Sequence, residues 1–341
     1  MTGAERTFGF IRGEEVDRPP LHPIIMRFAA AYAHAHYRDF CLHHEVKCPA
    51  MIACAEDFDL DWVTVMSDPN AEAEAFGLEI EYPLDNLPKM AKTQTHLTFD
   101  TIKALSLPHI DACRRMLERV QEVAYYRQHV GGRYFIVGWV EGPMAVLTML
   151  RGLTDACYDL YDHEEELTSV FALFVENAKR FITRQVEAGA DCIGVGDAAA
   201  SQIGPELYRR FILPGEREIA SHIKQLGAVA KLHICGNTHE IFPDMIGSGY
   251  DIVDVDHLVG SMAPFAPLLN SAQVLSGSSD PVRVVLNENF EEIDRSVIEC
   301  YRQGMGRVIT SAGCEIPGET SVENFSRYCK AGHALSTSML V

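Results

Sequence analysis

The chain has 341 residues, 47% hydrophobic and 23% charged, with 16 prolines; this is the composition of a folded globular protein with a full core, not of a disordered chain. Its formal net charge of −19, from 29 basic and 48 acidic residues, excludes the clustered lysine and arginine footprint that phosphate backbones require. Ten cysteines scattered without a close-spaced framework exclude a disulfide scaffold and suit a reducing compartment, where most serve as small buried hydrophobes.

From the N-terminus, "MTGAERTFGFIRGEEVDRPP" is charged and lacks the apolar core of a signal peptide. No later stretch approaches the roughly 18 apolar residues of a membrane span, so a cytoplasmic protein is expected. Eight short apolar or β-branched runs come next, at 20–26, 61–68, 133–142, 191–198, 228–236, 250–257, 272–280 and 306–315. Being apolar on both sides, they read as strands covered on both faces of a parallel sheet. Helix-like periodicity fills 43–58, 97–128, 155–188, 205–226, 237–248, 288–304 and 321–338. This alternation predicts one (β/α)₈ TIM barrel domain over 1–341, with an N-terminal helical extension. After the second strand, about 69–96, "GLEIEYPLDNLPKM" reads as a hairpin or flap over the barrel mouth. There is no internal repeat and no low-complexity tract.

Barrel enzymes draw their chemistry from the C-terminal ends of the strands. There the fifth run ends in "KLHICGNTHE", placing His233 and Cys235 on one strand face, and the eighth ends in "SAGCEIP", carrying Cys314. Two cysteines and one histidine with a fourth position open is a catalytic zinc pattern. The bland alternative is a buried strand-end thiol beside a metal-free site. Asp256, ending the sixth run in "DVDH", is a candidate fourth ligand or polar neighbour of the metal, or else a cap for the next helical segment. His239 and His257 read as capping or exposed groups.

"RGEEVDRPPLHPIIMRFAAAY", "MSDPNAEAEAFGLEIEYP", "GPMAVLTMLRG", "GVGDAAASQIGPELYRRFILPGEREI", "KLHICGNT" and "SAGCEIP" together resemble the uroporphyrinogen decarboxylase superfamily over nearly the whole chain. Within it they look most like the zinc-dependent methylcobamide:coenzyme M methyltransferase branch. The resemblance implies that His233, Cys235 and Cys314 hold Zn²⁺ and that a corrinoid, presented by a separate carrier protein, exchanges a methyl group with a small thiol. It aligns Asp68 with the decarboxylase's catalytic aspartate region, although a capping role is as natural there, and it makes Arg27 and Asp197 the cofactor-facing candidates. A decarboxylase has two arginines in its Arg-Gln-Ala-Gly-Arg motif; here "RFAAA" keeps Arg27 and has Ala31 in place of the second. No Asp-x-His-x-x-Gly corrinoid motif is present, so the cobamide is expected on a partner. The alternatives are the reverse direction, demethylation of a methoxylated aromatic or methylated amine, then a metal-free decarboxylase-like lyase, then a non-catalytic tetrapyrrole-binding protein.

Overall fold

The computed structural model describes residues 1–340. Seven parallel strands form one curled sheet: β1 (Trp62–Thr64), β4 (Phe135–Glu141), β5 (Cys192–Gly196), β6 (Val229–Ile234), β7 (Ile252–Val255), β8 (Val274–Ser279) and β9 (Val308–Ala312), neighbours in that order. Between β1 and β4 lies an antiparallel hairpin, β2 (Ile80–Glu81) and β3 (Lys89–Met90). Helices cover the outside, and the architecture is a (β/α)₈ barrel.

The eighth strand position departs from regular pairing. The run at 20–26 makes only an isolated parallel bridge, Leu21 with Thr310 of β9. His22 N–H donates to the Thr310 carbonyl at 2.8 Å and Thr310 N–H donates to Pro20 at 2.9 Å. Prolines 19, 20 and 23 have no N–H to continue a ladder, which is why this segment closes the barrel without becoming a strand. On its other side Leu21 N–H donates to the Asp61 carboxylate at 2.6 Å, and Asp61 N–H returns a bond to the Leu21 carbonyl.

Helix boundaries reflect local chemistry. The helix Gly3–Ile11 opens on a capping box between Thr2 and Glu5, each side chain satisfying a backbone N–H that the helix leaves free. The long helix Glu164–Ala188 stops at Gly189, whose φ of 111° is open to glycine at little cost. The run expected at 97–128 is divided into Phe99–Lys103 and Arg114–Val130, with Pro108 in the break. That at 155–188 is divided into Leu153–Asp162 and Glu164–Ala188, and 237–248 shrinks to Phe242–Ile246. An additional helix, Pro143–Arg151, starts with its proline in the first turn, where no N–H is needed. The hairpin expected at 69–96 is β2 and β3, tied down where Arg115 Nε donates to Tyr82 at 3.1 Å.

The two barrel ends are filled differently. At the strand starts Trp62, Phe135, Val137, Cys192, Ile252, Val274 and Ile309 pack with Ile11 of the N-terminal helix, and Phe8 sits edge-on to Phe135 with ring centroids 5.0 Å apart. Higher up, β5 carries glycines because Trp139 lies across it: a Cβ on Gly194 would fall 2.4 Å from the Trp139 ring. Polar groups begin at that level, where Lys231 and Asp254 meet inside the barrel.

Candidate metal centre

The strand period places Lys231, His233 and Cys235 on the inner face of β6 and its end, and the parallel register sets His233 opposite Asp254 of β7. Cys314 arrives from the loop after β9. His233 Nε2 lies 3.0 Å from Cys235 Sγ, and Cys235 Sγ lies 3.6 Å from Cys314 Sγ. The three ligating atoms are all within 4.8 Å of one another.

Behind the imidazole stands a buried relay. His233 Nδ1 is 3.1 Å from Asp254 Oδ2, an ion-pairing distance, and Lys231 Nζ reaches the same oxygen at 2.5 Å. His233 is 2% exposed and Asp254 0%, so neither is anchored by solvent. A carboxylate behind the far nitrogen fixes the ring and turns the near nitrogen toward the ligand position. Lys231, 5.5 Å from the Trp139 ring centre, balances the Asp254 charge in a dry interior. Burial works to raise the Asp254 carboxyl, but Lys231 and His233 outweigh it and hold it well below the ordinary range.

The three ligands divide their protons unequally. For His233 burial is the largest influence and favours the neutral ring, yet Asp254 and the neighbouring thiol carry it up to about 9. The hydrogen bond from Cys235, then His233, pulls Cys314 down to about 4, and the same pairing pushes Cys235 up. A divalent cation held by the two thiolates and the imidazole would take the place of the shared protons. With one nitrogen, two sulfurs and a carboxylate supporting the ring, the donor set fits zinc.

The other anticipated residues are placed less uniformly. Asp256 is outside the converging atoms: its Oδ2 accepts from Gly236 N–H at 2.9 Å and its Oδ1 from Leu258 N–H at 3.2 Å. The geometry thus has it bracing the turn that carries Cys235 and capping the segment after β7, the capping role that the sequence also allows. His257 bridges Asp256 Oδ1 at 2.6 Å and Asp280 Oδ2 at 3.4 Å, and borders a cleft of about 590 Å³ lined also by Ser278, Arg283 and Cys300. His239 N–H donates to the Asn237 side chain. Asp68 is buried and saturated: Arg115 and Ser67 donate to Oδ2 at 2.6 and 2.9 Å, and Asn70 donates twice to Oδ1. Burial opposes its ionisation, but Arg115 and Arg119 prevail and keep it well below the usual carboxylate range. That environment suits a carboxylate held as an anion, in keeping with the capping role that the sequence also allows. Asp197 is sealed beneath Gly142, where Ala145 N–H donates to it at 2.6 Å; burial and Glu216 hold its carboxyl well above the ordinary range. Its side chain is fully buried among protein groups. Arg27 does reach the site's edge: its N–H donates to Glu315, next to Cys314, at 2.7 Å, and its side chain pairs with Glu319 at 2.9 Å.

Lys231 and Asp254 escaped the sequence reading, although "KLHIC" and "DVDH" signal them by alternation. Both runs place polar residues two apart on a strand, Lys231 one pair below His233 and Asp254 level with it. A second trio of possible ligands among the described residues, His44, Glu45 and Glu118, lies at a helix start, where Glu118 accepts from the His44 backbone and ring.

The uroporphyrinogen decarboxylase (URO-D) family profile matches residues 2–335. The chain belongs to that family. Among curated relatives, the methylcobamide:CoM methyltransferase MtbA of Methanosarcina mazei is 28% identical over 78% of this chain and 77% of its own. Human uroporphyrinogen decarboxylase is 22% identical over 94% of this chain and 91% of its own. A solved methyltransferase from Methanosarcina mazei superposes with a TM-score of 0.87 at 23% identity, covering 97% of this chain and 98% of that one, which fixes the shared fold. Among the described residues no helix is long and apolar enough to cross a membrane.

Proposed function

We propose that this URO-D family member is a zinc-dependent methyltransferase, moving a methyl group between a corrinoid carried on a partner protein and a small thiol. The observation that carries the reading is the convergence of His233, Cys235 and Cys314 at the C-terminal mouth of the barrel. Similarity to MtbA supports it, and the single arginine at the "RFAAA" position, with Asp68 locked to Arg115, weighs against decarboxylation of a polycarboxylate ring.

His233 Nε2, Cys235 Sγ and Cys314 Sγ would hold the metal, and bound zinc would supply Lewis acidity that deprotonates and positions a thiol. The chain does the rest. Asp254 orients His233, Lys231 steadies Asp254, and Asp256 holds the Gly236 N–H so that Cys235 keeps its direction. Trp139 walls the barrel beneath His233, their ring centres 6.4 Å apart, and keeps water from the lower interior. The reading takes residues 1–341 as one domain working in the cytoplasm. The opposite direction, demethylation of a methoxylated aromatic or methylated amine by a Co(I) carrier, uses the same ligands.

The test is to mix the zinc-loaded protein with a methylated corrinoid carrier and a simple thiol and to monitor the corrinoid's visible spectrum. Accelerated loss of the methyl–cobalt species is expected. No transfer in either direction with the cognate carrier, together with metal-independent consumption of uroporphyrinogen, would leave the lyase reading in its place.

A further inference from the structure

The end of β4 carries a second group of ionisable side chains for which the metal reading has no task. Glu141, Glu72 and Arg119 are buried together, two carboxyl groups against one guanidinium. Arg119 Nη1 lies 3.6 Å from Glu72 Oε2 and 4.0 Å from Glu141 Oε1. Glu72 Oε1 also accepts the Glu141 backbone N–H at 2.9 Å, whereas the Glu141 carboxyl accepts only the Trp139 indole N–H, at 2.9 Å. Among the other buried charges nearby, Asp68 pairs with Arg115 and Glu122 with Lys47, and Arg119 is drawn on by Asp68 as well, which leaves it less for the two glutamates. In a dry site two carboxylates cannot both ionise against one arginine. The less compensated of the two, Glu141, keeps the proton. Burial, then the Glu72 charge, hold its carboxyl well above the ordinary range.

Its place in the barrel gives that proton a use. Glu141 pairs with Gly196 of β5 and Gly196 pairs with His233 of β6, so Glu141 and His233 stand in one row, two strand spacings or about 10 Å apart at the backbone. The residue between them has no side chain. Trp139 joins the two, its indole N–H on Glu141 and its ring 6.4 Å from the His233 ring. Of the buried trio Glu141 has the most exposure, 6% against 1% for Glu72 and 0% for Arg119. Its carboxyl lies over Gly196, where an added Cβ would meet Oε2 at 3.1 Å, in the row that leads to His233 and within a small molecule's length of it.

We propose that Glu141 is a proton donor of the active site, and that the small molecule it serves is a methylated oxygen or nitrogen compound whose heteroatom leaves carrying an electron pair. This rests on the methyl-transfer reading and selects its direction. In the step, Co(I) of the carrier supplies the electron pair of the new cobalt–carbon bond. The carbon–heteroatom bond breaks with its pair going to oxygen or nitrogen, and the Glu141 proton passes to that atom. The Glu141 carboxylate then regains a proton from water. A thiol acceptor has no need of such a donor, because it must lose a proton and not gain one.

The experiment compares wild type with Glu141→Gln, which keeps the shape and cannot deliver a proton. Infrared spectroscopy of the zinc-loaded protein should show the carbonyl stretch of a protonated carboxylic acid at neutral pH, lost in the variant. With a Co(I) carrier and a methoxylated aromatic or a methylated amine, the variant should turn over about 100-fold more slowly, its pH profile losing the limb set by the acid, while zinc content stays at the wild-type level. Thiol methylation should change by less than about threefold, the size expected when a group takes no part in the proton transfer. No loss of carboxylic acid band between wild type and variant, or equal slowing in the two directions, overturns the proposal. If Glu141→Gln removes such a band and wild type moves no methyl group in either direction, the proton on Glu141 stands, and both the methyl-transfer reading and Glu141's part in it fall.

Discussion

The two ends of this barrel are built from the same strands and differ in almost everything else. At the strand starts, apolar side chains from six strands close on the N-terminal helix, and the one buried carboxylate there, Asp61, is enclosed by Arg6, Arg18 and the Leu21 N–H. At the strand ends, charges are balanced locally but point toward an opening: Asp254 serves Lys231 and His233, Asp256 serves a turn, and Glu141 shares a single arginine with Glu72. Fully satisfied charge stabilises one arrangement. Charge left one partner short, beside three metal-ligating atoms, is where chemistry has room to happen. A buried ionic group in this fold is therefore informative by its end of the barrel and its unmatched partners, more than by its burial.

The contrast is most exposed to test at the thiols. Cys314→Ala should abolish zinc binding and lower methyl transfer by at least about a thousandfold, with the thermal midpoint moving only a few degrees. Elemental analysis alongside a thermal melt checks both. Full zinc occupancy in that variant would remove the distinction between a functional and a structural end.

At the opposite end the effect should fall on folding. Trp62 is fully buried, stacks on His22 at 4.3 Å and donates its indole N–H to Thr7 at 2.7 Å. Trp62→Ala should cost about 3–5 kcal/mol of stability, read by denaturant unfolding, while the protein that remains folded binds zinc as tightly as wild type. A large change in zinc affinity there would show that the ends are mechanically coupled.

Smaller shifts should separate Asp254 on β7 from Asp256 just past its end. Asp254→Asn should weaken zinc binding by about 10- to 100-fold in chelator competition, because it removes the charge behind His233. Asp256→Asn should change affinity by less than about threefold, since an amide oxygen can still accept the Gly236 N–H. A reversal of that order would return Asp256 to the coordination sphere.

Much of this was legible along the chain. Two-sided apolar runs alternating with helical periods predict a parallel barrel, and the i, i+2 spacing in "HIC" predicts two side chains on one face, because a strand's period is fixed by its backbone. The residues that the sequence leaves most open are those whose meaning lies in a distant partner. Asp68 and Asp197 look alike as strand-end acids. One is held as an anion by Arg115 from a helix 47 residues on, and the other is sealed under a helix start. Fold class, and the barrel end at which His233, Cys235 and Cys314 emerge, could be read from the linear chain, since local period and residue chemistry set them. Three facts emerged only once the chain was folded: Cys314 closes to 3.6 Å on Cys235, Asp254 and not Asp256 stands behind the imidazole, and two glutamates must share Arg119. They depend on strand register, barrel closure and charge counting in a dry space, and none of them is a property of any short stretch of chain.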